Sequence, residues 1–236
     1  MLEQVGAKAL RCPLLIISPA PNTPSLRRLI EEIDSFDLLL FNSPNAVKFG
    51  IAQLGSRCNL RARAKIAAIG AKTAQAISGL GYPADICPEA GFDSESLLQL
   101  PIMQNVSGMR IAILRGSGGR DLTESVLRSR GAEVVHVQVY ERLPPSKDQL
   151  EQIEALLLRE SFDAVTITSG EAFLALWSGS DCNLQHLLNQ STFIVGSRRI
   201  ADIAQAEGLR SFIAVADDPS DESMFSALIE WAAQAP

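Results

Sequence analysis

Five short stretches of this chain set a hydroxyl, amide or cationic side chain between the end of an apolar run and the start of a helical pattern. They are Ser43-Pro44-Asn45, Gly70-Ala71-Lys72-Thr73, Arg115-Gly116-Ser117 continuing through Gly118, Gly119 and Arg120, Thr168-Ser169-Gly170-Glu171, and Gly196-Ser197-Arg198-Arg199. In an open α/β sheet, ligands sit beyond the carboxyl ends of the parallel strands, where these stretches fall. Backbone N–H groups at a helix start, together with the positive end of the helix, favour carboxylate or phosphate. Ser, Thr and Asn at such places also act as ordinary N-caps, and the glycines after Arg115 suit a tight turn, so no single stretch is specific. As a set they carry more hydroxyls and more Arg and Lys than capping requires, which points to an acidic ligand. Tyr140 is the titratable group of most interest. A phenol can donate a hydrogen bond or a proton to a departing oxygen, although an amphipathic aromatic at a strand end explains it as well. In a regular strand Tyr140 shares a face with His136 and Gln138.

Other chemistries lack their residues. No close pair of carboxylates, GxSxG elbow, Ser-His-Asp set or Cys-His nucleophile stands out, and neither GxGxxG nor GxxxxGK[ST] occurs. Cys12, Cys58, Cys87 and Cys182 have no metal-ligand or CxxC spacing, and His136 and His186 are far apart, so a metal site is not supported. The net charge of −6 and the absence of a basic run argue against a nucleic-acid partner, and 6% aromatics against a base-stacking platform. No apolar run approaches the roughly 18 residues that span a bilayer, and the start lacks a basic-then-apolar signal pattern. The chain reads as soluble and cytosolic, without a membrane partner. Arg57, Arg61, Arg63 and Lys65 read as a solvated basic connector.

The 236 residues allow one large domain or two of about 100–120 residues. The elements that must carry the polar stretches alternate. Strands are expected at Leu14–Ser18, Asp37–Ser43, Lys65–Gly70, Ala84–Cys87, Phe162–Ser169, Thr192–Gly196 and Ser211–Val215. Helices are expected at Ser25–Ile33, from Pro44 to about Leu54, and at Ala71–Leu80, Ser94–Leu100, Lys147–Arg159 and Ser220–Ala233. Met109–Pro145 holds a complete βαβ unit: the apolar run Met109–Leu114, the glycine-rich loop, a helix Leu122–Arg130 with Asp121 at its start and Gly131 at its end, and the strand Glu133–Tyr140. Alternation of this kind means α/β with mostly parallel sheets.

The chain also repeats itself at an offset near 126. Phe36-Asp37 matches Phe162-Asp163, and Ile69-Gly70 matches Val195-Gly196. Asp93-Ser94-Glu95-Ser96-Leu97 matches Ser220-Asp221-Glu222-Ser223-Met224 one residue further on, and Gly6-Ala7-Lys8 pairs with Gly131-Ala132-Glu133 at 125. A strand, a loop and a helix lie between Met109 and Gly131, whereas five residues precede Gly6. The expectation is a first copy without its first strand and most of its helix.

The motifs Phe36-Asp37…Asn42-Ser43-Pro44-Asn45-Ala46-Val47, Ile69-Gly70…Thr73-Ala74, Leu114-Arg115-Gly116…Gly119-Arg120, Val139-Tyr140-Glu141-Arg142, Thr168-Ser169-Gly170-Glu171 and Gly208…Asp221-Glu222 resemble, in order and spacing, the uroporphyrinogen-III synthase family. The likeness runs from about Gly6 to the C-terminus and is greatest to proteobacterial members. It implies two flavodoxin-like parallel-sheet domains joined by a two-strand linker, with a cleft between them and an interleaved chain. Residues 1–19 with 144–236 would form one domain, apparently lacking its N-terminal strand, residues 20–138 the other, and 139–143 a linker strand. Family members begin with a strand ending Thr-Arg-Pro, so an upstream in-frame extension is expected.

The resemblance implies closure of hydroxymethylbilane, a linear tetrapyrrole with eight carboxylates, with inversion of the terminal ring and loss of water. It implies no cofactor and no metal. Tyr140 matches the tyrosine that assists loss of hydroxide. Ser43, Asn45, Thr73, Ser169 and Ser197, with Arg115, Gly116 and Ser117, match groups that bind substrate carboxylates or pyrroles, the last three through backbone N–H groups. Arg199 stands where many relatives have threonine. A monomer in transient contact with hydroxymethylbilane synthase is implied in the same way. The competing reading is a non-catalytic tetrapyrrole or acidic-ligand binding protein of the same fold.

Overall fold

The computed structural model describes residues 1–55, 64–89, 94–118, 122–159 and 162–234. Its contacts divide the chain into two compact units, one of residues 17–142 and one of residues 1–16 with 143–236.

The 17–142 unit is built around one strand, Leu38–Phe41, whose residues are apolar at every position. Such a strand has no wet face and must be covered on both sides. β2 (Leu38–Phe41) is the centre, buried at all four residues. It pairs in parallel with β3 (Lys65–Ala68) on one edge and with β4 (Arg110–Gly116) on the other, and β4 pairs in parallel with β5 (Glu133–Leu143). β1 (Ile16–Pro19) flanks β5, so the order is β1-β5-β4-β2-β3. Leu39 and Phe41 face a core formed with α1 (Pro24–Glu31), α2 (Pro44–Leu54) and α3 (Ala71–Gly79). Leu38 and Leu40 face the opposite core, formed with α4 (Ser94–Gln99), α5 (Pro101–Gln104) and α6 (Leu122–Ser129). The unit is a three-layer α/β/α sandwich. The expected strand at Ala84–Cys87 is reduced to a bridge from Ile86 to Ala67. Pro83 and Pro88 flank it, and Asp85 takes the Ile66 N–H on its side chain at 2.8 Å.

The strand starts carry an ionic cluster. The Arg110 guanidinium reaches Glu32 at 2.8 Å, Glu133 at 3.1 Å and the Ser35 hydroxyl, and lies over the Phe36 ring. Its backbone N–H donates to Asp37 at 2.9 Å.

In the other unit, α7 (Lys147–Arg159) precedes β6 (Ala164–Ile167), followed by α8 (Gly170–Gly179), α9 (Cys182–Gln190), β7 (Thr192–Val195), α10 (Arg198–Glu207), β8 (Ile213–Val215) and α11 (Asp221–Gln234). The sheet is parallel, in the order β6-β7-β8. Phe173, Trp177, Phe193 and Leu188 head its core. Among the described residues β6 has a strand on one edge alone, and a cavity of about 790 Å³ lies against Ala164–Ile167, walled by residues such as Leu14, Ile153 and Leu157. β2, with strands on both edges, is fully buried, whereas Thr166 of β6 is exposed.

Two predictions follow from this contrast and from the ion cluster. Amide exchange at Ala164 and Thr166 should run at least about tenfold faster than at Leu38 and Leu40, because an edge strand opens locally more readily than a central one; equal protection would show that β6 has a partner in solution. The hydrogen bond from Arg110 holds Glu32 below its ordinary value of 4.5. A depressed carboxyl contributes stability above its unfolded value and loses it as the pH falls through the folded one. The melting temperature should therefore drop below about pH 4.5, and drop less steeply in Arg110→Gln. Parallel acid profiles for the two proteins would refute the assignment.

Candidate functional site

The order of the 17–142 sheet reverses at β2. The chain leaves β2 for β3 on one side and returns to lay β4 on the other, so the loops after β2 and β4 diverge and open a crevice of the kind that holds ligands. Asn42-Ser43 and Arg115–Gly118 are those loops. Ser43 has extended backbone and N-caps α2, its hydroxyl accepting from the Ala46 N–H at 3.1 Å, with Pro44 as the first helical residue. The same hydroxyl lies 3.3 Å from the hydroxyl of Tyr140, which reaches it from β5 across the end of β4.

Tyr140 is 3% exposed and held from several directions. The Phe49 ring stacks on it at 6.1 Å. The Arg142 guanidinium stands 5.7 Å from its ring centre and donates to its hydroxyl oxygen at 3.4 Å. With that oxygen accepting from Arg142, the phenol proton is directed elsewhere, to Ser43 or to an oxygen of a bound ligand. Gly116 faces the ring. A Cβ there would lie 2.5 Å from two ring carbons and 2.9 Å from the hydroxyl oxygen, so no other residue fits unless Tyr140 moves.

The face shared with His136 and Gln138 is not what the strand adopts. Arg115 is opposite Gln138 but Gly116 is opposite Tyr140, so Val139 is an extra residue and β5 bulges. The bulge shifts the alternation by one. Tyr140 joins Val137 and Val139 in the core under α2 and α3, while His136 turns away to Glu124 of α6, 3.1 Å off. Ser117 is also placed differently from expectation. Its N–H, expected to face an anion, donates at 3.1 Å to the Tyr140 carbonyl, because the bulge carries that carbonyl to the end of β4. Gly118 turns the loop with φ +70°, and Arg115 donates to its carbonyl. Gly119, Arg120 and Asp121 lie outside the described residues, as do Arg57, Cys58, Arg61, Arg63 and Asp93.

Asn45 sits in the first turn of α2. Thr73 is in the first turn of α3 at the end of β3, but is 2% exposed. Ser43, Gly116, Ser117 and Tyr140 are thus joined by direct contacts, with Asn45 and Thr73 on the same sheet edge. Ser169, Ser197 and Arg199 belong to the other unit. There Ile167 and Val195 are register partners, and Ser169 and Ser197 each follow by two residues. Ser169 caps α8 through the Ala172 N–H at 3.4 Å, Ser197 caps α10 with no side-chain bond, and Arg199 is exposed in the first turn of α10. Burial pushes the Cys12 and Cys87 thiols up, away from the reactive thiolate.

Four residues absent from the sequence-based set belong to the Tyr140 neighbourhood: Asn42, Phe49, Gln53 and Arg142. The Asn42 Oδ1 is buried with no partner among the described residues. Gln53 donates to the carbonyl of Val139. Asn42 and Arg142 stand inside the quoted motifs, a usable signal; nothing in the sequence marks Phe49 or Gln53.

The profile of uroporphyrinogen-III synthase HemD matches residues 1–226. This chain belongs to the uroporphyrinogen-III synthase family. The Escherichia coli uroporphyrinogen-III synthase is 34% identical over 229 residues, covering 96% of this chain and 92% of that protein, and the Salmonella typhimurium one is 34% identical over 234. Among solved structures, a mutant uroporphyrinogen III synthase of Thermus thermophilus aligns with TM-score 0.56 at 25% identity, over 98% of this chain and 90% of that one. The Helicobacter pylori uroporphyrinogen-III synthetase shares the fold, with TM-score 0.64 at 17% identity, over 92% and 91%. Membership places an α/β family fold beneath the Tyr140 neighbourhood and makes the tightness of the Gly116 contact testable. Gly116→Ala should leave the fold intact and displace Tyr140, lowering the rate of tetrapyrrole closure about 10²-fold, as misplacement by about 1 Å does. An unchanged rate would show that Tyr140 has room to adjust.

Proposed function

We propose that this chain is a uroporphyrinogen-III synthase, closing hydroxymethylbilane into the macrocycle with its terminal ring inverted, in tetrapyrrole biosynthesis. Family membership carries the reaction. The single observation that carries the assignment of the chemistry is Tyr140, a phenol fixed at the topological switch with its oxygen accepting from Arg142.

The proposed mechanism asks one proton transfer of the protein. Tyr140 gives its proton to the terminal hydroxyl oxygen as the C–O bond breaks, releasing water and leaving an azafulvene cation. The last ring attacks that carbon through its own substituted position, giving a spiro intermediate. Fragmentation breaks the bond that first linked this ring to the chain, reclosure through its other, unsubstituted α-carbon inverts the ring, and the proton lost on re-aromatisation returns to the phenolate. Proton donation of this kind is worth about 10²–10⁴ in rate. Geometry supplies the choice of product, since spontaneous closure gives the non-inverted isomer. The eight substrate carboxylates are proposed to meet Arg142 and the helix starts carrying Ser43, Asn45 and Thr73 in one unit and Ser169, Ser197 and Arg199 in the other. Arg115, Gly116 and Ser117 shape the loop beside Tyr140.

The chain is further proposed to be an interleaved duplication of a flavodoxin-like plan, with residues 1–19 and 144–236 as one copy, 20–138 as the other and 139–143 between them. In support, β2 and β6 are each followed two residues on by a serine that caps the next helix, and each has the next strand of the chain as its neighbour. A cytosolic monomer receiving its substrate from hydroxymethylbilane synthase completes the reading. Among the described residues no helix is long and apolar enough to cross a membrane. No observation favours a non-catalytic binder.

The test is isomer analysis. Given fresh hydroxymethylbilane, the purified chain should yield mostly type III uroporphyrin after oxidation. Tyr140→Phe should slow closure by about 10²–10⁴-fold with binding changed only a few-fold. Type I alone, at the spontaneous rate, from a folded protein would overturn the assignment.

A further inference from the structure

The bulge that aims Tyr140 leaves a backbone group needing care. Val139 is the extra residue, and its carbonyl points away from β4. A buried carbonyl without a donor is costly, and one with loose donors lets its peptide tilt. Here both lone pairs are engaged. The Ala20 N–H donates at 3.1 Å, and the side-chain amide of Gln53, on α2, donates at 2.5 Å. That peptide is the one joining Val139 to Tyr140, so any rotation of it swings the phenol.

Gln53 does not act from an arbitrary place. Phe49, Gly50 and Gln53 stand three and four residues apart, on one face of α2. Phe49 stacks on the Tyr140 ring. Gly50 brings the helix close: a Cβ there would lie 2.9 Å from Leu114, 3.2 Å from Phe41 and 3.7 Å from Val139. At the start of the same helix Ser43 touches the Tyr140 hydroxyl. One helix therefore holds the hydroxyl, the ring and the preceding peptide of the same tyrosine.

We propose that Gln53 is a positioning residue for closure, fixing the Val139–Tyr140 peptide through its amide and thereby placing the Tyr140 hydroxyl against the leaving oxygen. The inference rests on the reading of Tyr140 as proton donor. The Gln53 amide is engaged by a backbone carbonyl, so its loss should appear in kcat and not in KM.

Two variants of nearly equal size separate this from a packing role. Gln53→Met keeps the volume and removes the donor. Gln53→Glu keeps the shape, presents a carboxylate to the Val139 carbonyl when ionised, and donates again when protonated. The expected results for type III formation are a kcat about tenfold lower for Gln53→Met with KM within about twofold, a loss that does not change with pH. For Gln53→Glu the loss should shrink as the pH falls toward the carboxyl range. In the Tyr140→Phe background Gln53→Met should add nothing, because a residue acting through Tyr140 has nothing left to position. Wild-type kcat in Gln53→Met would overturn the inference. So would additive losses in the double variant, or a Gln53→Glu protein that unfolds and gains nothing at lower pH, which would mark a purely structural amide. If Tyr140→Phe itself closes the substrate at the wild-type rate, the proton-donor reading has failed first; if it is slow while Gln53→Met is not, only the role of Gln53 has failed.

Discussion

The close contact of Gly116 with the Tyr140 ring is the constraint on which the rest of the site depends. The ring fills the volume that a side chain on β4 would need, so β4 must end in a residue without one. That fixes more than one position. The ring reaches Gly116 because β5 gains Val139 as an extra residue, and the extra residue turns its carbonyl toward Gln53 and Ala20 and that of Tyr140 toward Ser117. A bulge, a glycine, a loop N–H and a helix amide thus form a single arrangement. Changing any one moves the phenol.

The two ends of the same sheet have different work. Where the strands begin, Asp37 and Asp85 accept backbone N–H groups of β4 and β3, and Arg110 gathers Glu32 and Glu133. These carboxylates and the guanidinium satisfy one another and hold the edge together. Where the strands finish, the groups are hydroxyls, an amide, helix starts and the Arg115 and Arg142 guanidiniums, and the Asn42 oxygen is buried without a partner among the described residues. Polarity left partly unused at one end, and spent at the other, agrees with ligand binding beyond the carboxyl ends. It also separates stability from chemistry, so that a tyrosine can be held tightly without the ion cluster being drawn into the reaction.

Much of the fold was legible because uninterrupted apolar strands and amphipathic helices are local patterns. Leu38–Phe41 could only be a covered strand, and Lys147–Arg159 has as a helix the limits its periodicity gives. Ala84–Cys87 was overread, since its apolar residues suit a strand but the flanking prolines and the Asp85 side chain leave a bridge. In the site, Ser43 and Tyr140 were legible from motif and residue type, but their contact across β4 depends on the bulge and on the side chain that Gly116 lacks. The orientation of Tyr140 was not, because a bulge is set by the register of two strands, and period-two reading carries the wrong parity through it. Phe49 and Gln53 were invisible for a related reason. Gln53 meets Val139 across 86 residues of chain, and no pattern within α2 says which side faces β5.

The proposed proton donor stands on a strand rather than a loop, and that placement has a physical rationale. Closure by this family turns on which carbon of a flexible chain reaches the reactive centre, so error in the donor's position costs selectivity as well as rate. A loop tyrosine would pay for its mobility in both. On β5 the backbone of Tyr140 is fixed by the β4 ladder, its carbonyl by Ser117, its ring by Phe49 and the empty face of Gly116, and its hydroxyl by Ser43 and Arg142. The arrangement leaves the direction of the phenol proton free, and that is the freedom the proposed proton transfer needs.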